Sequence, residues 1–393
     1  MSGDPSRAVH DSVTALGEDE WDALVGENVL ASHGWLRTVE STAVAPLRPR
    51  YVVIRSGERL VAAAVGYHVP PTETIETLDH LILGRMRPGL SRLGVSFSPV
   101  FVCCPLQAYG AHFLVAPDLD ATTQDSLRES LLDGVEAEAA REGVGSAFLN
   151  LLATETQDLA LLRRRGYLFG RDVPLNVLEL RWPSFDEYLR HLDTVSRDAR
   201  KDIRRQVNQN RKRGVVVDRL DDVEPHSARL HELLDRNSRK HNGAPFSYGS
   251  GFFAALQSNL GGGAAFYVAR KEETITAVSV VLRRGANAVA PMVGVDHALA
   301  GKDFTYFNVA HYRPIEDAIA TGVERMMFGR ALYELKARRG CELVDTVTAF
   351  RPARAWQKAL LPFWLPLLSA WNRAKLPAGV RYVSGGRFSL RQR

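Results

Sequence analysis

Phe304 to Gly340, FTYFNVAHYRPIEDAIATGVERMMFGRALYELKARRG, is the stretch whose reading decides the fold. It opens on an aromatic and polar cluster, Tyr306, Asn308, His311, Tyr312 and Arg313. An apolar pattern follows at helical spacing, Ile315, Ala318 and Ile319, and stops at Thr321-Gly322. Pro314 suits the first turn of that helix, because it has no N–H to donate and its φ is fixed. Met326-Met327-Phe328 is too short an apolar run for a helix, and Gly329 bounds it, so it reads as a buried strand. Gly329-Arg330 leads into a second helix that ends at Lys336-Ala-Arg-Arg-Gly340. Helix, buried strand, glycine, helix is an α/β crossover, and ligands in such sheets sit at the carboxyl ends of strands.

Outward from this stretch, the chain reads as two passes through one order of elements. Before it, Ala265–Ala269, Thr274–Leu282 and Asn287–Val295 form an antiparallel meander preceded by helices at 228–238 and 251–260 and a strand at Val215–Val217; after it, Leu343–Ala349 is the last strand. The N-terminal half runs similarly. Two short helices precede a hairpin (Tyr51–Ile54, Leu60–Tyr67), a strand at Phe97–Cys104 and an amphipathic helix carrying Leu127, Leu131, Leu132, Val135 and Ala139. Buried strand 147–151, helix 157–165 and strand 173–180 complete it. Gly143-Val144 and Arg165-Gly166 in the first half answer Gly322-Val323 and Arg339-Gly340 in the second. A repeat of this length is two copies of a domain rather than a solenoid unit. The expected fold is α/β with a mixed sheet in two tandem domains, 1–190 and 191–393.

Composition narrows the function classes. At 393 residues the chain exceeds one ordinary core. A net charge of +5 is mildly basic. Three cysteines, two of them adjacent (Cys103, Cys104), make neither a disulfide framework nor a zinc quartet, and neighbours on a strand face opposite ways. No metal site is expected. The N-terminus lacks an apolar core of signal-peptide length, and the apolar run between Lys358 and Arg373 is too short to span a bilayer. A cytoplasmic protein is expected. That run forms an apolar C-terminal segment, 356–371, with three tryptophans and flanking Arg354, Lys358, Arg373 and Lys375. It reads either as a tail packed on the core or as an interfacial segment making peripheral membrane contact.

Between Arg197 and Arg213 lie eight basic residues and two acidic ones. Arg197, Lys201, Arg204 and Arg205 recur at helical spacing, so this linker helix (196–213) is either a solvated surface or a phosphate-tracking face for a polyanion such as tRNA. His241, Asn242 and Tyr248 occupy a loop between two helices, an ordinary turn or part of an acceptor pocket.

Taken with these residues, the chain resembles the tandem members of the GNAT acyltransferase superfamily, the FemAB-like peptidyl or aminoacyl transferases. The likeness rests on Tyr306–Ile319, Gly322, Phe328-Gly329 and Lys336–Gly340, and on the arginine-rich segment at 196–205. The first half has no counterpart of Tyr306–Arg313, which assigns it a scaffold or acceptor-binding part. The resemblance implies an amide-forming acyltransferase acting on an amine acceptor, either a small molecule or a peptide, with aminoacyl-tRNA as acyl donor and no tightly bound cofactor. Simple GNAT enzymes hold coenzyme A pyrophosphate on a Gln/Arg-x-x-Gly-x-Gly/Ala loop at a helix N-terminus. Val293–Asp303 does not spell that loop, so acyl-CoA is the alternative donor rather than the first. A binding protein that kept the fold without the chemistry is the remaining alternative. Amide formation needs an amine stripped of its proton, a stabilised oxyanion and a protonated leaving group. His311 is the candidate base (or a structural histidine of the crossover helix), Tyr306 and Tyr312 are candidate proton donors, and Lys336 matches a family lysine. Asn308, Arg313, Arg330 and Tyr333 are candidate substrate contacts, joined through the resemblance by His241, Asn242 and Tyr248.

Overall fold

The structure, a computed structural model, describes residues 5–72, 75, 77–301 and 303–389. In chain order it begins with β1 (Pro5–His10), α1 (Glu18–Val25), α2 (His33–Thr42), β2 (Arg48–Ser56), β3 (Arg59–Val69), α3 (Leu78–Leu83), α4 (Arg87–Arg92), β4 (Val100–Cys103), β5 (Leu114–Val115), α5 (Ala121–Arg141), β6 (Gly145–Leu152), α6 (Thr156–Arg164) and β7 (Leu168–Arg171). It continues with β8 (Leu175–Glu179), α7 (Phe185–Val195), α8 (Ala199–Lys212), β9 (Val215–Leu220), α9 (Ser227–Asn242), α10 (Phe252–Leu260), β10 (Ala264–Lys271), β11 (Thr274–Arg284), β12 (Asn287–Val295) and α11 (His297–Ala300). The last elements are α12 (Thr305–Phe307), a π-helical turn (Asn308–Tyr312), α13 (Arg313–Ala320), β13 (Arg325–Met327), α14 (Tyr333–Ala337), β14 (Glu342–Val344), β15 (Thr346–Arg351) and α15 (Ala355–Ala374).

These elements build two mixed sheets, as the two-domain reading requires. The first runs β1-β2-β3-β4-β6-β15-β7, the second β14-β8-β13-β12-β11-β10-β9. Each contains a parallel step, β4 beside β6 in the first and β12 beside β13 in the second. The domain boundary differs from the expected 190/191. One compact unit comprises the chain through Pro174 with Val344–Leu376 and Tyr382 onward; the other comprises Leu175–Leu343 and Pro377–Arg381. The reason is an exchange of strands. β8, expected to close the first half, pairs antiparallel with β13 in the second sheet, while β15 inserts antiparallel between β6 and β7 in the first. Strands 173–180 and 343–349 read from sequence as the last member of their own halves. Their apolar character is right, but nothing local to a strand states which distant edge it pairs with.

In the first unit, α5 lays Leu127, Leu131, Leu132, Val135 and Ala139 on the sheet, matching its expected face. Cys103 and Cys104 are buried, as small hydrophobes should be. β7 is an edge strand, and α15 covers it: Ser369 Oγ accepts from Arg171 N at 2.8 Å, and Asn372 Nδ2 donates to Arg171 O at 3.0 Å. Side chains of a helix thus satisfy the open edge of the ladder.

In the second unit, the sheet separates two layers. Tyr267 on β10 packs with Val309, Tyr312 and Ile315 of the crossover helix, while its neighbour Phe266 faces Phe253 of α10. Alternation along a strand puts these on opposite faces. On the α9 face, β12 approaches so closely that a Cβ on Gly294 would lie 2.6 Å from the carbonyl carbon and oxygen of Leu233. Backbone cannot yield as a side-chain tip can. Gly294→Ala is therefore expected to cost about 1–3 kcal/mol in urea unfolding; an unchanged midpoint would mean α9 shifts freely on the sheet.

Candidate active site

The ladder between β12 and β13 pairs only Asn287, Ala288 and Val289 with Arg325, Met326 and Met327. Beyond it β12 stays with β11, whereas the chain leaving β13 follows β8. Phe328 N donates to Asn176 O at 2.9 Å, and Asn176 N donates to Gly329 O at 3.0 Å. The Asn176 side chain continues the bracing, its Nδ2 donating to Gly329 O (2.9 Å) and Ala331 O (3.2 Å). Two parallel strands therefore part at their carboxyl ends, the position where an α/β sheet offers a ligand site.

The turn that follows is tightly wound. Gly329, Ala331 and Leu332 have φ of 67°, 71° and 55°, a left-handed conformation that costs alanine and leucine free energy. It aims two carbonyls at one cation: Lys336 Nζ donates to Phe328 O at 2.7 Å and Arg330 O at 3.3 Å. Lys336 is buried, 3% exposed, and no carboxylate pairs with it among the described residues. Burial pulls its pKa down from 10.5 to about 8.

Across from this turn, the crossover helix starts at Thr305 rather than at Pro314. Pro314 sits where the π-helical turn hands over to α13, and the bond that closes the π turn runs from Arg313 N to Asn308 O. Such a turn inserts one extra residue into a helix and is common at functional sites. Here all five of its residues are buried. His311 lies flat on Phe328, with ring centroids 4.6 Å apart and planes at 6°. Neither of its nitrogens has a hydrogen-bond partner among the described residues. Burial holds its pKa far below the ordinary imidazole range, helped by the charges of Lys336 and Arg339, so His311 is neutral at pH 7.

Tyr312 takes another part. Its hydroxyl donates to Gln206 Oε1 at 2.6 Å and accepts from Arg339 Nη2, also at 2.6 Å. Its one proton is committed, which corrects its reading as proton donor to a leaving group. Tyr312 instead holds Arg339, a residue the sequence presented only as the last turn of a helix. The Arg339 guanidinium lies 3.8 Å from the Phe307 ring centroid and donates through Nη1 to Leu335 O at 2.8 Å. It is 6% exposed, and no carboxylate neutralises it among the described residues. Tyr306 keeps its proton, because burial raises its pKa against the opposing charge of Arg339.

Other expected residues divide. Arg330 and Tyr333 belong to the turn and to α14, beside Lys336. Asn308 is buried and spends its amide on Phe304 O at 3.0 Å, a structural bond within the helix. Arg313 is exposed and pairs with Glu316 and Asp317, so it faces away from the cluster. His241 and Asn242 end α9 on the surface, and Tyr248 stacks on Phe252 at 4.5 Å in the layer on the opposite face of the sheet. The loop 241–248 is not brought to His311, because α9 and the crossover helix pack on different faces. Nor does Arg197 share the basic face of α8. Asp198, at φ 62°, breaks the helical run, and α8 begins only at Ala199. Lys201, Arg204 and Arg205 are exposed on α8; Arg204 pairs with Asp186 and Arg205 with Asp202, each at 3.1 Å. The inner side of α8 carries Ile203, Gln206 and Asn210. Asn210 Nδ2 donates to Asp303 O (3.0 Å) and Thr305 Oγ1 (3.2 Å), tying α8 to the start of the crossover helix. No group of potential metal ligands occurs among the described residues.

Residues 12–366 match the FemAB-like family, described as one of peptidoglycan biosynthesis/recognition. The chain belongs to the FemAB-like family. It is accordingly an acyltransferase with a tandem GNAT-like fold. Among solved structures, this FemAB-like chain is similar to FemX, with a TM-score of 0.59 at 13% identity over 90% of this chain and 99% of that one. L-PGS from Bacillus licheniformis gives 0.53 at 13% identity over 91% and 97%. A tandem GNAT protein from the clavulanic acid biosynthesis pathway gives 0.50 at 14% identity over 89% and 99%. No curated protein sequence matches the chain significantly.

The burial of Lys336 makes a stability prediction whose sign is fixed. Below pH 8 the lysine is protonated in folded and unfolded chains alike, and its desolvation cost is constant. Between about 8 and 10.5 the unfolded chain holds more protons, so stability attributable to this group rises with pH, by at most about 1.4 kcal/mol per unit. Wild type should therefore gain stability relative to Lys336→Met from pH 8 to 10, measured by chemical unfolding. A difference that stays flat across that range refutes the buried cation.

Proposed function

We propose that this FemAB-like acyltransferase moves an aminoacyl group from aminoacyl-tRNA to an amine acceptor. The observation that carries the reading is a pair of buried cations, Lys336 and Arg339, with no carboxylate among the described residues to balance them. Uncompensated charge in a low-dielectric site favours an anion or a developing oxyanion. In the reaction the amine nitrogen forms a bond to the ester carbonyl carbon, and the bond from that carbon to the ribose oxygen breaks. One proton passes from the amine to the ribose oxygen. No covalent enzyme intermediate is required.

The residues divide the work as follows. Lys336, protonated for the most part at neutral pH, stabilises the oxyanion, and Arg339 adds field from a position fixed by Tyr312 and Gln206. Neutral His311, whose nitrogens lack partners, accepts the amine proton once substrate reaches it. Tyr306, still protonated, supplies the proton to the departing oxygen, and return of the proton from His311 to the Tyr306 phenolate restores both groups. The exposed face of α8 tracks the phosphates of the tRNA, with Lys201, Arg204 and Arg205 as contacts; Arg204 and Arg205 must first exchange a carboxylate for a phosphate.

The decisive experiment supplies a labelled amino acid either as its ester on tRNA or as its coenzyme A thioester, and follows label into an amine. Transfer from charged tRNA alone is expected; transfer that ignores tRNA and requires an acyl-CoA overturns the donor assignment. With the working donor, Lys336→Ala should lower turnover at least tenfold, about 1.4 kcal/mol of barrier. Tyr312→Phe should lower it less, by loosening Arg339 without removing it. In tRNA binding, Lys201→Gln should reduce the log–log salt slope by about 0.9, the value for one phosphate contact at duplex charge density; no carboxylate pairs with Lys201 among the described residues. An unchanged slope removes α8 from the interface.

A further inference from the structure

α15 closes one edge of the first sheet. α15 is 20 residues long, and its inner side is fully engaged: Gln357, Leu361, Leu365, Ser369 and Asn372 are buried, the last two on the edge of β7. Its outer side is apolar and bare. Trp356 is 37% exposed, Leu360 43%, Phe363 76%, Leu367 64% and Trp371 65%. At 3.6 residues per turn these five share an arc of about 80°, a continuous stripe along the whole helix. An aqueous surface rarely leaves so large an apolar row uncovered.

The neighbouring segment extends it. Trp364 Nε1 donates to Ile82 O at 2.8 Å, Gln357 Nε2 donates to Ser96 O at 3.4 Å, and the Trp356 ring packs on Phe97 at 5.3 Å. α15 therefore holds both ends of the segment from Ile82 to Ser96, and between them lie Met86, 47% exposed, and Leu93, 79% exposed.

Charge says what covers this face. Residues 351–393 contain nine Lys/Arg and no Asp/Glu, whereas the preceding 350 residues hold the other 41 Lys/Arg against all 45 Asp/Glu. The chain's net positive charge is thus concentrated at its C-terminal end. Arg354 and Lys358 near the start of the stripe and Arg373 and Lys375 at its end are exposed. Lys375 Nζ lies 5.3 Å from the Trp371 ring centroid. Residues 80–96, likewise, contain Arg85, Arg87 and Arg92 and no acidic residue. Tryptophan, phenylalanine and leucine on one strip with cations at its ends match a helix that lies in the headgroup layer of an anionic bilayer. No helix among the described residues is long and apolar enough to cross a membrane, and α15 has its other side committed to β7.

We propose that the stripe of α15, with the segment 83–95 beside it, docks the protein on the surface of a membrane containing anionic lipid. The inference is independent of the donor and acceptor proposed above. Its test is co-sedimentation of the full chain with vesicles of phosphatidylcholine alone or mixed with phosphatidylglycerol. Binding to the mixed vesicles is expected, weaker with added salt, and at least tenfold weaker to phosphatidylcholine alone. The double variant Phe363→Asp/Leu367→Asp should lose the binding, and Lys358→Gln/Arg373→Gln should weaken it on anionic vesicles only. Both pairs are solvent-exposed, so thermal unfolding should not change. Absence of vesicle binding overturns the proposal, as does binding that survives the aspartate variant. Self-association or tRNA binding that the aspartate variant abolishes, in a protein that ignores vesicles, assigns the stripe to that partner and overturns it equally.

Discussion

The geometry of the candidate site depends on one pairing, that of β8 with β13. Three residues of each strand are in register, Arg325 with Glu179, Met326 with Leu178 and Met327 with Val177. This short ladder draws the chain after Met327 away from β12 and delivers it to Asn176, whose backbone and side chain fix Phe328 through Ala331. Everything at the site is hung on that turn. Phe328 gives His311 a flat surface to lie on, and its carbonyl joins that of Arg330 in receiving Lys336. A strand supplied by the first half of the sequence thus sets the geometry of a turn in the second.

The cost of the arrangement is visible in the same residues. Among the described residues a lysine and an arginine are buried without carboxylates, an imidazole is buried with no hydrogen bond, and three non-glycine residues, Phe304, Ala331 and Leu332, are held left-handed. Each is unfavourable by itself, and a protein selected for stability alone would replace them with apolar side chains. Their concentration within the segment 304–341 is what separates a site from a core. The hydrogen bonds made to the two cations come from carbonyls, a tyrosine hydroxyl and an amide oxygen, which position the charge without neutralising it.

How far the sequence revealed this is clearest residue by residue. The crossover, the amphipathic face of α5 and the central stretch were legible because apolar periodicity is local. His311, Tyr306 and Lys336 stood out as polar groups in an apolar frame; the structure brings His311 and Lys336 to Phe328 and the Tyr306 ring to 5.8 Å from that of His311. Arg339 did not stand out, since an arginine near a helix end is ordinarily a solvated cap; only the burial of Tyr312 and Phe307 beside it changes its meaning. Tyr248 and Arg313 misled for the opposite reason. Both carry suitable chemistry, but the face each occupies is decided by packing against elements far away in sequence. Strand exchange was likewise invisible, because β8 and β15 each look like an ordinary apolar strand of the half that contains them.

The two sides of α8 differ in character. Its outward residues are mobile charges partly occupied by surface carboxylates, and exposed pairs of this kind contribute little to stability. Its inward residues are specific: Ile203 enters the core, Gln206 orders Tyr312 and Arg339, and Asn210 holds the start of the crossover helix. A ligand that displaces carboxylates from the outer face acts on a body whose inner face is bonded to the groups around Lys336. The polar inner residues of α8, and not its charges, determine where it sits, because the charges face solvent while Gln206 and Asn210 are bonded to the crossover helix and its surroundings.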